Sequence, residues 1–134
     1  MKALLAVTAL AAVVIGARTS PAKTRSARAS SQVQVHCPSG NNAAFVTPQQ
    51  VRIAVGDSVE WAMSGPVASD SLIITLKDPT RAWPFSGNPP RGQGTARSGR
   101  AATRGTFAYA VSLICRVQGG GTQPVVIDPD IIIE

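Results

Sequence analysis

The chain has 134 residues, with 13 Lys and Arg against 7 Asp and Glu, and a formal net charge of +6. This length allows one hydrophobic core and not two. After the N-terminal segment no apolar run approaches the length of a membrane span, which excludes a membrane protein with several spans.

The N-terminal segment predicts export. Met1 and Lys2 give a positive start, and an uncharged apolar stretch follows from Ala3 to Ala17. As a helix this stretch would be roughly 22 Å long, too short for a bilayer core of roughly 30 Å. We therefore predict a signal peptide over residues 1–22, cleaved after Ala22 or, as second choice, after Ala17. An uncleaved, membrane-anchoring helix is the alternative.

Cleavage would release a periplasmic or secreted protein without a stable membrane span, with 11 basic and 7 acidic residues and a charge of +4. Residues 23–31 are basic, small and polar, which predicts a disordered leader. From Gln32 onward the apolar residues recur with period two, which is typical of β-strands that are buried on one face. The predicted inward faces carry Val33, Val35 and Cys37; Val51, Ile53 and Val55; Val59, Trp61 and Met63; and Phe107, Tyr109, Val111, Leu113 and Cys115.

Turn-forming Gly, Pro and Asn residues separate these runs, and no convincing helix or internal repeat is present. The exception to the regular spacing is the segment from Asp78 to Gly105, which is rich in Pro and Gly. It predicts one long irregular loop, and such loops in compact domains are usually functional or disordered. The pattern as a whole predicts a single all-β domain over residues 32–134, a β-sandwich or barrel.

Two segments resemble the cupredoxin family of plastocyanin-like domains. Phe45 to Trp61 holds a Phe and a Pro, an apolar strand, Gly-Asp, and then Val and Trp on the next strand. Gly105 to Tyr109 is similar to the Gly-Thr-aromatic strand that precedes the copper loop in that family. The resemblance covers most of Gln32 to Glu134 and implies a Greek-key β-sandwich of the cupredoxin type.

The copper ligands of the family are not all present. A type-1 site needs two His, one Cys and usually a weak axial Met. The single His of this chain, His36, precedes the whole motif, no His lies near Ser69 to Ser71, and neither His nor Met follows Cys115. The resemblance therefore implies the fold without the copper site, and we predict no metal and no cofactor.

Cys37 and Cys115 are the only cysteines, and an even count in an exported chain favours a disulfide. Both fall on the inward faces of their predicted strands. The alternative is a redox-active or Cu(I)-binding thiol pair, with Met63 as a further ligand. His36 and Cys37 do not form a nucleophile pair, because neighbouring residues of a strand point to opposite faces.

The long loop carries four arginines, Arg91, Arg97, Arg100 and Arg104, and no acid occurs between Asp78 and Asp128. These arginines are candidates for binding an anionic partner, such as an acidic protein surface or an envelope polymer. The alternative is a solvated loop that its charge keeps soluble. No aromatic residue lies among the four arginines, so we do not expect nucleic-acid binding.

Trp83 and Phe85 open the same loop. They form either an apolar plug that closes one end of the sandwich or a contact for a protein partner.

The leading hypothesis is thus an exported, copper-free, cupredoxin-like binding or structural module whose partner is an envelope protein or an anionic polymer. The alternatives are a redox or copper-handling protein that uses the two cysteines, and a polyanion binder that uses the loop arginines. We predict no catalytic residues and no enzyme activity, because the sequence offers no nucleophile–base or acid–base pair. The oligomeric state stays open.

Overall fold

The computed structural model describes residues 28–134. The predicted signal peptide and most of the predicted leader lie outside these residues. The described chain forms ten β-strands: β1 Ser30–His36, β2 Phe45–Thr47, β3 Gln50–Ile53, β4 Ser58–Ser64, β5 Ser69–Leu76, β6 Arg91–Gly92, β7 Thr95–Arg97, β8 Gly105–Arg116, β9 Thr122–Ile127 and β10 Asp130–Ile133. Among residues 28–134 no helix is long and apolar enough to cross a membrane.

The strands form two sheets, and the prediction of an all-β sandwich is confirmed. The first sheet has the order β2-β1-β4-β7, and the second has the order β3-β10-β8-β5-β6, with β9 also paired to β8. The β1–β4 and β3–β10 pairs are parallel and the others antiparallel. Because parallel neighbours need crossover connections, each sheet also pairs strands that are distant in the sequence, β1 with β4 and β3 with β10.

The period-two pattern sets the core between the sheets. In β8 the residues at 107, 109, 111, 113 and 115 are all buried, and their neighbours in sequence face outward. Two aromatic side chains make a polar contact inside this core, where Trp61 Nε1 donates a hydrogen bond of 3.1 Å to the Tyr109 hydroxyl. Burial raises the pKa of Tyr109 to about 12, because the charged phenolate would lose its hydration.

β1 begins at Ser30, two residues before the predicted start of the domain at Gln32. One predicted inward face is corrected. Val55 was predicted to share the inward face of Val51 and Ile53, but its side chain is 45% exposed. The physical reason is that β3 ends at Ile53, and Val55 lies in the turn that leads to β4.

The predicted long connection between Asp78 and Gly105 is present, and it contains β6 and β7. β6 pairs with β5 in the second sheet, while β7 pairs with β4 in the first. The middle of the connection therefore forms the edge strand of each sheet, β7 in the first and β6 in the second.

The sandwich has two ends that matter for function. The disulfide end is where β1, β4 and β8 finish, and it contains Cys37 and Cys115. The plug end is the opposite one, where these three strands begin, and it contains Trp83 and Phe85 together with the turn between β3 and β4.

Candidate functional site

The disulfide predicted from the cysteine count is confirmed. Cys37 follows β1 and Cys115 lies near the end of β8, and their Cα atoms are 5.8 Å apart across the two sheets. The two residues are only 3% and 0% exposed, and their sulfur atoms are bonded to each other. The bond closes this end of the core covalently and uses both thiols of the chain.

The residues at this end do not fit a type-1 copper site. Such a site needs a free thiolate and two imidazoles. Here the thiol of Cys115 is in a disulfide, and His36 lies on the outer face of its sheet, where its ring stacks on Phe45 with centroids 4.2 Å apart. Within residues 28–134 no group of three His, Cys, Asp or Glu side chains could hold a metal ion.

Met63 lies at the same end, where it pairs with Val35 in the β1–β4 register and packs against the core while partly exposed. A soft ligand set of two thiolates and a thioether would therefore require the disulfide to be reduced first.

A surface groove of about 660 Å³ adjoins the disulfide. Its walls are the β1–β2 loop at Pro38 to Gly40, the β4–β5 loop at Pro66 to Ala68, and the β8–β9 turn. Arg116 lines it, but its guanidinium is paired with Asp70 at 3.0 Å. The groove thus offers space and a mixed polar and apolar wall, without an acid–base or nucleophilic pair.

Trp83 and Phe85 lie at the plug end of the sandwich. Phe85 is 4% exposed, and its backbone forms a β-bridge with Ala101. Trp83 is half-buried and packs on Phe85 with ring centroids 5.1 Å apart. Phe85 is therefore a core residue, which supports the plug among the two alternatives.

The four loop arginines do not form one patch. Arg97 lies on the outer face of the first sheet and is ion-paired with Glu60, its partner in the β4–β7 register. Arg91 pairs in register with Ile73 on the outer edge of the second sheet. The two side chains consequently lie on opposite faces of the sandwich. Arg100 and Arg104 lie in the last part of the connection, at the plug end.

Two further arginines join Arg100 and Arg104 there, Arg28 and Arg81. Two hydrogen bonds to Asp57 link the segments of Arg28 and Arg100. Ala29 N–H donates to the Asp57 carboxylate at 3.0 Å, and Ala101 N–H donates to the Asp57 carbonyl at 2.7 Å. Ala29 follows Arg28 in the chain and Ala101 follows Arg100, so these two arginines lie on neighbouring segments.

Arg81 is tied to the segment that carries Arg104. Its guanidinium donates to the Thr106 carbonyl at 2.8 Å and lies over the Phe107 ring at 4.3 Å. The Nη2 atom is 3.8 Å from the point that a Cβ on Gly105 would occupy. Because Gly105 follows Arg104 directly, both arginines belong to the same end of the sandwich.

Arg28, Arg81, Arg100 and Arg104, here called the plug-end arginines, are all exposed. The ion pairs among residues 28–134 involve other basic residues, namely Arg52, Lys77, Arg97 and Arg116. Arg28 and Arg81 are not among the surface residues predicted from the sequence. Arg28 stands in a segment with the composition of a leader, and no sequence pattern places Arg81 beside Gly105.

The carboxylates at the plug end are occupied by other partners. Asp57 accepts backbone N–H groups from Ala29 and Ala54, and Glu134 pairs with Arg52 at 2.7 Å. Asp78 accepts the Thr80 hydroxyl at 2.6 Å, and this bond, the Thr80 N–H and, more weakly, Arg81 hold the pKa of Asp78 below its ordinary value. Asp78 thus balances part of the charge of Arg81, while Arg28, Arg100 and Arg104 are left with charge that solvent or a partner must balance.

No protein-family model and no curated protein matches the sequence. Among solved structures, the chain is similar to a purple cupredoxin from Nitrosopumilus maritimus, with 18% identity, 78% of this chain and 99% of that chain covered, and a TM-score of 0.47. It is also similar to a pseudoazurin from Sinorhizobium meliloti, with 16% identity, coverage of 79% and 74%, and a TM-score of 0.44. A third is a proline-to-glycine variant of amicyanin in its reduced Cu(I) form, with 11% identity, coverage of 78% and 82%, and a TM-score of 0.41.

These three structures are cupredoxins, the family whose motifs the sequence resembles. At such identities the likeness concerns the fold alone, and it carries no argument about a ligand or a partner of this chain.

Proposed function

We propose that the chain is an exported binding module of cupredoxin-like fold that works without copper and engages an anionic partner through its plug end. The observation that carries this proposal is the gathering of the four plug-end arginines, none of which takes part in an ion pair among residues 28–134.

The charge arrangement supports an anionic partner. Exposed guanidinium groups repel one another when they are brought to one end of a small domain, and folding alone gives no reason to collect them. An anionic partner balances this charge and gains several hydrogen bonds from the planar guanidinium forks. Arg91 and Arg97, which the sequence pattern grouped with Arg100 and Arg104, lie on other parts of the surface and serve as internal controls.

The disulfide supports the copper-free part of the proposal. With Cys37 and Cys115 bonded, the chain retains no thiolate for a metal, and His36 lies on the outer face of its sheet. We also propose that the chain is not an enzyme, and the unreactive lining of the groove at the disulfide end agrees with this. The redox alternative would require a reductant to reach two sulfur atoms that the fold buries.

The disulfide also supports export, since such bonds persist in oxidising compartments and are rare in the cytosol. Together with the signal pattern of residues 1–22, it favours a periplasmic or secreted location.

Retention on a sulfonated cation-exchange resin tests the anionic partner. We expect the double variant Arg100→Gln/Arg104→Gln to elute at clearly lower salt than the wild type. The matched variant Arg91→Gln/Arg97→Gln removes the same formal charge elsewhere and should elute close to the wild type. Equal shifts in both variants would mean that only net charge matters, and the solvated-loop interpretation would then replace the proposal.

A further inference from the structure

We propose that the anionic partner of the plug end is a lipid surface, so that the module docks peripherally on a membrane through the phosphate groups of anionic lipids. This inference rests on the proposed function, because it assigns a partner to the same arginines. Three features of the plug end point to lipid rather than to a dissolved polymer.

The first feature is an exposed apolar side chain at the same end of the sandwich as the plug-end arginines. Val55, at 45% exposure, lies in the turn between β3 and β4. The turn is held in place, since Val55 N–H donates to the Glu134 carbonyl at 3.1 Å and Gly56 N–H donates to the Ala101 carbonyl at 2.8 Å. An exposed apolar side chain at the same end as several cations is the arrangement with which peripheral proteins insert shallowly between headgroups while their charges bind the lipid phosphates. A dissolved polyanion would gain nothing from Val55.

The second feature is the course of the chain. The described chain enters the sandwich at the plug end, through Arg28 and Ala29. The sequence before Arg28 contains Lys23 and Arg25, and further back the apolar stretch from Ala3 to Ala17. Lys23 and Arg25 thus precede Arg28 by five and three positions in the sequence, and the chain leading into the plug end is basic.

The third feature is the lack of a stacking platform. Proteins that bind single-stranded nucleic acid without sequence preference stack its bases on exposed aromatic rings. At the plug end Phe85 and Phe107 are buried, and Trp83 is half-buried against Phe85. Among residues 28–134 the exposed ring is that of Phe45, which lies on the outer face of the first sheet. The plug end therefore offers charge and a short apolar tip, which match a lipid interface.

Co-sedimentation of the exported protein, with the cleavage of its signal checked by intact mass, with sucrose-loaded vesicles tests the inference. One vesicle type contains phosphatidylglycerol and phosphatidylcholine in equal parts, and the other contains phosphatidylcholine alone. We expect sedimentation with the first type only, and its loss at high salt. Each basic residue at an anionic surface contributes about a five-fold change in the partition coefficient, so Arg100→Gln/Arg104→Gln should lower it by more than about ten-fold.

Two controls make the result specific. Arg91→Gln/Arg97→Gln should bind the vesicles as the wild type does. Val55→Ser should weaken binding, while Val126→Ser, which changes a valine 61% exposed on the strand β9, should not. Unchanged thermal unfolding of each variant shows that the fold is intact.

The outcomes separate the two proposals. Absence of sedimentation, or equal sedimentation of Arg100→Gln/Arg104→Gln and the wild type, overturns the lipid inference. If the protein then still binds the sulfonated resin through Arg100 and Arg104, the proposed function stands and its partner is a dissolved polyanion or an acidic protein. If both the resin and the vesicle results are insensitive to these arginines, both proposals fall.

Discussion

The Cys37–Cys115 bond should supply a large part of the stability of this domain. The two residues are 78 positions apart in the sequence. In the chain-entropy model, cross-linking a loop of this length removes about 15 cal/mol/K from the unfolded chain, or about 4.5 kcal/mol at 25 °C. The free energy of unfolding of single domains is typically about 5–15 kcal/mol, so the loss of the bond should leave this domain only marginally stable.

Urea unfolding checks this value. We expect Cys37→Ala/Cys115→Ala to be less stable than the oxidised wild type by about 4–5 kcal/mol. Its melting temperature should be about 20 °C lower, since the unfolding entropy of a domain of this size is about 0.2 kcal/mol/K. Wild-type protein refolded in a reductant retains both sulfur atoms, so comparing it with the variant separates the cross-link from the packing of the sulfurs. A loss below about 1 kcal/mol in both samples would refute the reasoning.

Three further predictions concern the core and the plug. Tyr109 is the only tyrosine of the chain, so the ultraviolet difference spectrum of tyrosinate should show its pKa at about 12 in the folded protein and near 10 in urea. Because the folded pKa is the higher one, the neutral hydroxyl contributes its full share to the free energy of unfolding below pH 10. This free energy should fall by up to about 3 kcal/mol as the pH rises to about 12. Urea titrations of Tyr109→Phe should not show this fall. Phe85→Ala should cost about 3–5 kcal/mol by thermal or urea unfolding, and a cost below about 1 kcal/mol would contradict a plug. Trp83→Phe should change stability by no more than about 1 kcal/mol, because the buried Nε1 of Trp83 has no hydrogen-bond partner among residues 28–134 to lose.

Much of the fold can be predicted from the sequence, because the alternation of apolar and polar residues along a strand shows which of its faces is buried. The alternation in β8 identified the whole inward face from Phe107 to Cys115, and all of these residues are buried. The same argument placed both cysteines inward, which, with the export signal, led to the disulfide. The alternation failed at Val55 because a period-two pattern does not show where a strand ends and a turn begins.

The candidate site was less predictable, since it depends on contacts between distant segments. Arg100 and Arg104 were identified as candidates by composition alone. Arg28 reaches the same end only because β1 lies parallel to β4, which brings Ala29 to Asp57. Arg91 and Arg97 are close to Arg100 in sequence, yet β6 and β7 join different sheets and carry them to opposite faces. Neither effect leaves a local signal.

The central claim is that a disulfide, and not copper, occupies the end of the sandwich that contains Cys115. Intact mass and metal analysis of the protein, exported by its own signal into copper-supplemented medium, tests it most directly. The account predicts a mass lower by two hydrogens than that of the reduced chain, no thiol that reacts with an alkylating reagent under denaturing conditions, and no copper. Stoichiometric copper together with two free thiols would contradict it.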